Sequence, residues 1–548
     1  MIYKNAIVII WTCFVIRGTF YCTVIPPWEG FDEFAHFAVI QHMAFYRDLP
    51  NPEIASTSRQ VAESLRLLPV PWLVHDPASG LKSHEEYWRA TAFEREANEQ
   101  QLRTLPKEWA QQDAVPRLPL YEAQQAPLYY WLASAVYWQI KYLDLRSQIW
   151  ILRFLTLLTA STVIPIGFAV AKNVFSDDNK AVGVTLIITC LPQLFLVACR
   201  ISNDALAIAL ASLCILLALR LSEAPSKNRP VILLGLVLGL ALLTKAYLLA
   251  LLPLALTPYL YRWTKTTRPF GHAHRLVITT LIICFVTCGW WYARTLYTTG
   301  SLTGEQTEVA ALRTHLSIAT AAAQVQWVRV FDFIATSYIW LGNWSFLVVR
   351  SWMYRIVEIV FVLGAGGLAW RLALHSTRTA RLVVIAMPLL TLLLGLFYQA
   401  ITSQTATGKA GTMGYYLYCL VIVEMILLVE GLTGLLPYRL ELTAVPFLTF
   451  TFLGIELFGT VCLLLPYYTG LIGHDANGSL RAFKVLNLTY SDVTIVLGRL
   501  LVGKPDAITY AVLVATFILF IGAAILLVYL SCFLAMCSVK SRRSWVRN

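Results

Sequence analysis

Two adjacent carboxylates, Asp32 and Glu33, follow a rigid Pro-Pro turn and stand among aromatic residues at the end of the first apolar stretch. Asp32 and His36 are four residues apart, so on a helix they share a face, as do Glu29 and Glu33. A carboxylate at an apolar boundary is costly unless it has partners, and a general base needs such a fixed, partly dry position. The segment is therefore a candidate site for general-base catalysis.

Two other interpretations of this segment stay open. Asp32 and Glu33 could cap a helix that begins there, because acidic side chains interact favourably with a helix N-terminus. Glu29, Asp32 and His36 could bind a metal ion, although their spacing is a weak signal for one. A later acidic turn contributes one carboxylate, Asp204, and no Asp-x-Asp pair. The sequence therefore favours chemistry that requires neither a metal ion nor another cofactor.

The composition of the chain indicates that its solvent is a lipid bilayer. Hydrophobic residues make up 58% and charged residues 14% of the 548 residues, against roughly 45–50% and 25% in ordinary globular chains. The net charge of +12 comes from short basic clusters between apolar runs, which is the positive-inside pattern and argues against nucleic-acid binding. Nearly all eleven cysteines lie inside apolar runs, so neither a zinc site nor a disulfide framework is predicted.

About 12 membrane-spanning helices are predicted, with both termini in the cytosol, because a span needs about 20 apolar residues. The stretch 231–260 is interrupted at Thr244-Lys245 and predicts two short helices hinged at the lysine. The segment 127–142 is short and rich in Tyr and Trp, which favour the interface, so it is assigned to the outer surface. This choice places every strongly basic loop in the cytosol. The clear candidate spans are 5–25, 149–171, 181–200, 204–221, 276–294, 352–372, 381–401, 415–436, 443–466 and 507–535.

The loop after the first span is long and acidic. Residues 28–127 contain fifteen of the 31 acidic residues of the chain. Much of this loop is predicted to be helical and amphipathic, as in 83–113, where charged and apolar faces alternate. Apart from the group around Asp32, these acidic residues are interpreted as solvated side chains on the outer surface.

The Asp32-Glu33-x-x-His36 segment, preceded by Pro27, resembles the start of the GT-C fold glycosyltransferases. This superfamily includes the protein O-mannosyltransferases and the lipid A aminoarabinose transferase, and its enzymes use polyprenyl-phosphate sugar donors. The sequence departs from the family pattern at Gln125 and Ala126, where basic or proline residues are usual, and at Thr295, where asparagine is usual. The further similar segments, in the same order within residues 1–300, are Gln125-Ala126-Pro127-Leu128-Tyr129-Tyr130-Trp131, Arg153, Arg200-Ile201-Ser202-Asn203-Asp204, Leu243-Thr244-Lys245, and Gly289-Trp290-Trp291-Tyr292-Ala293-Arg294 with Tyr297 and Gly300.

The resemblance implies an all-α polytopic membrane protein with a GT-C-like fold, about 12 transmembrane helices and a helical first extracytoplasmic loop. Residues 1–25 would form the first transmembrane helix and 26–148 the extracytoplasmic loop with juxtamembrane helices. Residues 149–300 would complete the catalytic transmembrane module, and 301–548 would form a variable C-terminal transmembrane module. The expected location is the cell envelope, in a bacterial inner or plasma membrane, with the active site on the extracytoplasmic face.

The resemblance also implies a reaction: transfer of a sugar, with inversion, from a polyprenyl-phosphate donor to a glycan, lipid or protein acceptor. Asp32 is expected to be the general base, with Glu33 and Asp204 as further catalytic carboxylates. No metal ligand is expected. The residues expected to bind the donor phosphate are Lys245, Arg294, Arg200 and Lys409, and those expected to line the substrate pocket are His36, Gln125 and Tyr129.

Alternatives stay open for these residues and for the whole chain. Lys245 and Arg294 stand at span ends, where basic side chains are common interfacial anchors, and Arg200 could simply pair with Asp204 across a turn. A transporter or flippase of a lipid-linked saccharide, or a surface-glycan polymerase or ligase, would share the bilayer and the charged outer face. The charges lie at span ends and no internal repeat is visible, which favours transfer chemistry over transport.

Overall fold

The computed structural model describes residues 2–545 except 176, 224–227, 265–269, 305–316, 375–378, 438–439, 476–477 and 486–488. Within these ranges the regular structure is helical, and β-structure is limited to isolated bridges, such as that between Ser58 and Asp113. Apolar runs form helices in a bilayer because a helix satisfies all its backbone polar groups within one segment. The predicted all-α polytopic architecture is confirmed.

The first half of the chain consists of one long helix, a loop with short helices, and a group of apolar helices. A 3₁₀ segment, Ala246–Leu256, follows the helix that ends at Leu242. The helices are α1 (Ile2–Val24), α2 (Glu33–Tyr46), α3 (Arg59–Leu67), α4 (His84–Arg89), α5 (Ala92–Arg103), α6 (Leu128–Ile140), α7 (Leu145–Ser161), α8 (Val163–Val174), α9 (Asp178–Cys190), α10 (Pro192–Ala198), α11 (Asp204–Glu223), α12 (Asn228–Leu242), α13 (Thr257–Thr264) and α14 (Phe270–Thr299).

In its described ranges, the second half contains five long apolar helical segments and several short helices. A 3₁₀ segment, Gly414–Leu420, leads directly into one of them, and a π-helical segment, Gly459–Leu464, extends another. The described helices are α15 (Ile318–Gln324), α16 (Trp327–Ile339), α17 (Ser351–Leu374), α18 (Thr379–Thr407), α19 (Val421–Leu435), α20 (Ala444–Phe458), α21 (Leu465–Tyr468), α22 (Tyr490–Leu500) and α23 (Tyr510–Trp545).

Nine helical segments of the described chain are long and apolar enough to cross a membrane, and a bent pair would make ten. The bent pair corrects the predicted straight span 181–200, because α9 and α10 meet at an angle of 66°. Pro192 has no N–H to continue α9 and is tolerated in the first turn of a new helix, so the chain turns there. Two shorter apolar helices, Arg229–Leu242 and Ala246–Leu260, flank Lys245 as predicted. The nine segments are Asn5–Val24, Leu145–Val174, Asp204–Ser222, Ala273–Thr299, Ser351–Ala373, Ala380–Ala406, Gly414–Leu435, Glu441–Tyr468 and Tyr510–Cys537.

The Tyr- and Trp-rich segment after the acidic loop forms α6, whose 13 residues are fewer than a span requires. It packs against α2, with the rings of Phe37 and Tyr137 in edge contact at 5.7 Å. This length agrees with the prediction that the segment does not cross the bilayer. The amphipathic stretch 83–113 is helical in pieces, since Ser83 and Thr91 each begin a new helix with a capping box.

One hydrophobic core joins the two ends of the chain. In it α1 packs against α7, α9 and α23, and the ring of Phe20 stacks on that of Phe520 at 4.4 Å. Arg17 of α1 is fully buried, forms an ion pair with Glu456 of α20, and places its guanidinium 4.5 Å from the ring centre of Phe195. A charge inside a membrane bundle is costly without such a partner. The pair therefore fixes α1 to α20.

Candidate functional site

A cavity with a volume of about 360 Å³ lies where the acidic loop meets the turn before α11 and the break after α12. Its walls are mainly polar, which sets it apart from the apolar helix packing around it. Such a concave site with convergent charged groups is the usual location of substrate binding. The lining residues are Phe31, Asp32, His36, Tyr121, Glu122, Gln124, Gln125, Arg200, Asp204, Lys245, Gly304, Gln399, Tyr415 and Tyr416.

Asp32 lies at the entrance to α2 with its side chain in the cavity. Its backbone is left-handed, with φ of 55° and ψ of 16°, and its side chain makes no capping hydrogen bond. The helix does begin at this pair, with Asp32 at the N-cap position and Glu33 in the first turn, but Asp32 does not cap it through a side-chain hydrogen bond. Burial raises the pKa of the Asp32 carboxyl to about 6, although the positive charges of Arg200 and Lys245 act against the rise, while Asp204 adds to it. A general base is most effective when its pKa lies near the working pH, and the pKa of Asp32 is close to that condition at neutral pH.

Asp204 holds two cations at the cavity wall. Its Oδ2 accepts a hydrogen bond from Arg200 at 2.7 Å, and its Oδ1 accepts bonds from Lys245 at 2.5 Å and from the Tyr247 hydroxyl at 3.0 Å. Because these three contacts are all with donors, Asp204 has the geometry of a positioning residue. The expected pairing of Arg200 with Asp204 is present, and both residues also line the cavity.

Arg200 keeps hydrogen-bonding capacity beyond its pair with Asp204. Its Nε and Nη1 atoms are buried and have no hydrogen-bond partner within the described ranges. The guanidinium lies 4.7 Å from the ring centre of Tyr415 and 5.3 Å from that of Phe31, so cation–π contacts with both rings stabilise its position. A buried donor without a partner is costly, and an anionic group in the cavity would satisfy it.

Local contacts bring the separate segments of the site together. Asn203 donates from Nδ2 to the carbonyl of Thr244 at 3.2 Å and to the side chain of Gln125 at 3.3 Å. The backbone N–H of Leu128 donates to the carbonyl of Leu243 at 2.9 Å. The break between α12 and the following 3₁₀ segment is thus tied both to the turn before α11 and to the end of the acidic loop. This connection places Lys245 in the wall of the cavity that Asp32 also lines.

Two of the three predicted pocket residues line the cavity. His36 lies one helical turn after Asp32, and its Nδ1 is 2.7 Å from the Tyr130 hydroxyl. Burial, with Lys245 as the next cause, lowers the pKa of His36 well below its ordinary value, so the ring is neutral. Gln125 also reaches the cavity. Tyr129 is not among the lining residues; it is buried, with its hydroxyl 3.4 Å from that of Thr156.

Of the three carboxylates predicted to be catalytic, Glu33 is the one that lies outside the cavity lining. It is fully buried outside the cavity lining and accepts hydrogen bonds from Arg153 at 2.7 and 2.6 Å and from the N–H of Ile201 at 3.1 Å. Arg153 also donates to the carbonyls of Ile25 and Pro26 at 2.6 Å each. Glu33 and Arg153 thus form a buried tether between α7, the end of α1 and the turn before α11. The contacts of Glu33 are those of a positioning residue, whereas Asp32 lines the cavity.

Two of the predicted phosphate ligands lie outside the cavity lining. The Arg294 side chain donates to the carbonyl of Pro50 at 3.4 Å and lies 5.3 Å from the ring centre of Trp291. Lys409 is exposed after α18, where its carbonyl accepts a hydrogen bond from Ser403 at 2.9 Å. The structure therefore brings Arg200 and Lys245 together at the cavity and does not place Arg294 or Lys409 with them.

The metal alternative from Glu29, Asp32 and His36 does not match the arrangement of these side chains. Glu29 is fully buried away from the cavity lining and forms a pair with His84 at 3.0 Å. In the part of the chain that the structure describes, no group of three or more His, Cys, Asp or Glu side chains is arranged to hold a metal ion.

Sequence reasoning missed the far wall of the cavity. Tyr415 and Tyr416 come from the 3₁₀ segment before α19, and Gln399 comes from α18. Glu122 was among the acids interpreted as solvated, yet it is 4% exposed and lines the cavity. Its position five residues before Pro127, between Tyr121 and Ala123, was the only local cue in the sequence, and a single carboxyl in a loop has no periodic pattern to strengthen it.

Comparisons with known proteins agree with the motif resemblance. Residues 124–291, which include the turn before α11 and the Lys245 break, match the family model described as dolichyl-phosphate-mannose-protein mannosyltransferase. This match confirms the resemblance to GT-C glycosyltransferases. No curated protein sequence matches the chain.

Solved structures that match the chain include ArnT from Cupriavidus metallidurans in the apo state. The TM-score is 0.44 and the identity 13%, over 97% of this chain and 77% of ArnT. ArnT bound to undecaprenyl phosphate matches with a TM-score of 0.43 and 13% identity, over 96% and 76% of the two chains. The Archaeoglobus fulgidus oligosaccharyltransferase AglB, in complex with an inhibitory peptide and a dolichol-phosphate, matches with a TM-score of 0.41 and 12% identity, over 95% of this chain and 56% of AglB.

Proposed function

We propose that this protein is an integral-membrane glycosyltransferase that transfers a sugar from a polyprenyl-phosphate-linked donor to an acceptor at the extracytoplasmic face. The observation that carries the proposal is one cavity lined by the half-buried carboxyl of Asp32 and by the two cations Arg200 and Lys245. Displacement of a sugar from its phosphate requires a base that removes the proton of the acceptor and positive charge that stabilises the leaving phosphate. The carboxylate and the two cations supply these. The family model that matches residues 124–291 supports the same class of reaction.

The reaction is proposed as a single displacement with inversion at the anomeric carbon. The acceptor hydroxyl or amine loses its proton to Asp32 and forms a bond to the anomeric carbon. The bond between that carbon and the phosphate oxygen breaks, and its electron pair leaves with the polyprenyl phosphate. Arg200 and Lys245 stabilise the added negative charge on the phosphate, while Asp204 keeps both cations in place. These cations supply the positive charge, so the proposed step uses no metal ion.

The proposed sidedness comes from the charge pattern of the loops. With α6 outside the bilayer, the strongly basic loops fall on one side, which the positive-inside rule assigns to the cytosol. The acidic loop and the cavity then face the other side, and both termini are cytosolic. A donor whose lipid lies in the bilayer and whose sugar lies in water would present its phosphate at this boundary. Acceptors of the cell envelope, whether glycan, lipid or protein, are also found there.

A transfer assay on purified, liposome-reconstituted protein tests the proposal. The donors are a panel of polyprenyl-phosphate sugars that includes dolichyl-phosphate mannose, and the acceptors are alkyl glycosides, Ser/Thr-containing peptides and an envelope lipid extract. Transfer of sugar with release of polyprenyl phosphate is the expected result. Movement of an intact donor across the bilayer, with no bond cleavage for any pair in the panel, would instead identify a transporter.

The rate of transfer is expected to fall as the pH drops through about 6, because Asp32 accepts a proton only in its ionised form. Burial raises the pKa of this carboxyl, so the acid limb of kcat/KM lies near 6 and not near the ordinary value of 3.8. The measurement is kcat/KM against pH, with thermal unfolding followed over the same range as the control. An acid limb near 3.8, with the protein folded throughout, would show that burial does not raise the pKa of the group whose ionisation governs transfer.

Lys245→Gln is expected to lower kcat/KM for the donor by roughly 10- to 150-fold, the effect of losing one hydrogen bond to a charged group. The phosphate gains charge as it leaves, so the lost contact matters most in the transition state. Steady-state kinetics with varied donor concentration measures the change. Lys484→Gln, which makes the same substitution on an exposed loop, is the matched control. Equal kinetics in the two variants would remove Lys245 from the phosphate site.

A further inference from the structure

The cavity contains a second carboxyl besides that of Asp32. Glu122 belongs to a turn that precedes α6, is 4% exposed, and lines the cavity. Its Oε2 atom is buried and has no hydrogen-bond partner within the described ranges. Burying a polar atom without a partner is unfavourable, and native proteins seldom do so outside functional sites. The free oxygen therefore points to a ligand in the cavity.

The turn that carries Glu122 is fixed in place. The N–H of Gln125 donates to the carbonyl of Glu122 at 3.1 Å, and Asn203 anchors the Gln125 side chain at 3.3 Å. Asn203 is itself bound to the carbonyl of Thr244. The Glu122 carboxyl is thus positioned by the same contacts that position Lys245.

The two carboxyls of the cavity, Glu122 and Asp32, differ in pKa. Burial, and then the charge of Asp32, raise the pKa of Glu122 to about 8, while burial raises that of Asp32 to about 6. At neutral pH Glu122 is mainly protonated and Asp32 is mainly ionised. When the surroundings of two carboxyls in one site push their pKa values apart, the protonated one commonly acts as a proton donor and the ionised one as a base. The charged and titratable groups that face Glu122 are Asp32, Asp204, Lys245, Tyr130 and Tyr416.

We propose that Glu122 is an acceptor-binding residue, whose carboxyl O–H donates a hydrogen bond to the acceptor beside the group that Asp32 deprotonates. The inference rests on the proposed transferase function and deepens it. Glu122 keeps its proton throughout the reaction, so the bonds made and broken at the anomeric carbon and the phosphate are unchanged. The hydrogen bond from Glu122 and the bond to Asp32 together orient the nucleophilic atom of the sugar acceptor. A water molecule that attacks the donor in hydrolysis does not need the contact with Glu122.

Comparison of sugar transfer with donor hydrolysis tests this role, using the most active donor and acceptor of the panel and then the donor with water alone. Glu122→Ala is expected to lower transfer by roughly 10- to 100-fold, the effect of losing a buried hydrogen bond. It is also expected to raise the KM for the acceptor and to lower donor hydrolysis much less than it lowers transfer. Glu122→Gln retains a donor N–H and should keep most of the transfer activity. The matched control is Glu108→Ala on the exposed surface of the same loop.

Three outcomes would overturn the assignment. Equal loss of transfer and hydrolysis in Glu122→Ala would give the residue a donor-side or structural role. Loss of transfer in folded Glu122→Gln as large as in Glu122→Ala would mean that an ionised carboxylate is required. If Glu122→Ala transferred sugar at the rate of the wild-type protein, Glu122 would have no role in acceptor binding. Absence of transfer by the wild-type protein from every donor would instead refute the transferase function itself.

A labelling experiment tests the placement of the carboxyl without activity. Dicyclohexylcarbodiimide is an apolar reagent that couples to protonated carboxyl groups, and mass spectrometry of the peptide containing Glu122 shows the adduct. Labelling at neutral pH is expected in the wild type and absent in Glu122→Gln. Because the charge of Asp32 raises the pKa of Glu122, Asp32→Asn should reduce labelling at a pH of about 8. No adduct at any pH, with the protein folded, would show that this oxygen does not face the cavity.

Discussion

Asp32→Asn is expected to lower the rate of sugar transfer by roughly 100- to 10,000-fold, the range for loss of a general base. The amide has the shape of the carboxylate and cannot accept the proton of the acceptor. The fold should remain intact, since asparagine tolerates the left-handed φ of 55° found at this position. The measurement is kcat with saturating donor and acceptor, together with the midpoint of thermal unfolding.

The matched control for this variant is Glu96→Gln, which makes the same carboxylate-to-amide change on the exposed surface of α5. Its transfer rate and its thermal midpoint should equal those of the wild type. Unchanged transfer in Asp32→Asn would remove Asp32 as the base. A lowered thermal midpoint together with the lost activity would mean that the substitution had disturbed the fold, and the chemistry would then have to be tested by the pH profile.

Glu33→Gln is expected to destabilise the protein by roughly 3–5 kcal/mol, because it leaves the buried guanidinium of Arg153 without its counter-charge. Both Glu33 oxygens bind Arg153, and the pair joins α7 to the entrance of α2. The loss should appear as a lowered midpoint of thermal unfolding in detergent. The double variant with Arg153→Gln should recover part of it, since it removes both charges.

Glu63→Gln provides the comparison for an exposed ion pair. Glu63 pairs with Arg66 at 3.2 Å on the surface of α3, where solvent screens the interaction, so the expected change is about 0–1 kcal/mol. If Glu33→Gln were no more destabilising than this control, the buried tether would not be holding the site together. Its carboxylate would then be available for the catalytic role that the resemblance implied for Glu33 beside Asp32.

The sequence indicated the main chemical groups of the site but could not show how they meet. Asp32 was indicated by its position at the end of an apolar segment, and Asp204 and Lys245 by the resemblance of their segments to the GT-C family. Lys245 and Asp204 are 41 residues apart. Their contact depends on how α11 and α12 pack, and hydrophobic periodicity shows which face of a helix is buried without showing which helix covers it.

The same limit explains the assignments that changed. Arg294 and Lys409 share the sequence context of Lys245, near the end of an apolar helix, yet only packing decides which of these helix ends reach the cavity. Glu122 resembled its solvated neighbours because a single carboxyl in a loop carries no periodic signal. The bend at Pro192 was visible as a residue type, but a proline within an apolar run can either kink a span or end it.

The pairing of Arg17 with Glu456 has a consequence for how the protein is made. The two residues are separated by 439 positions, and the N-terminal helix leaves the ribosome long before its partner. Until α20 has been translated and inserted, Arg17 has no counter-charge, and a lone arginine in lipid is unfavourable. The environment of α1 is therefore complete only after α20 has been inserted, so truncation of the C-terminal third would also leave Arg17 of α1 without its counter-charge.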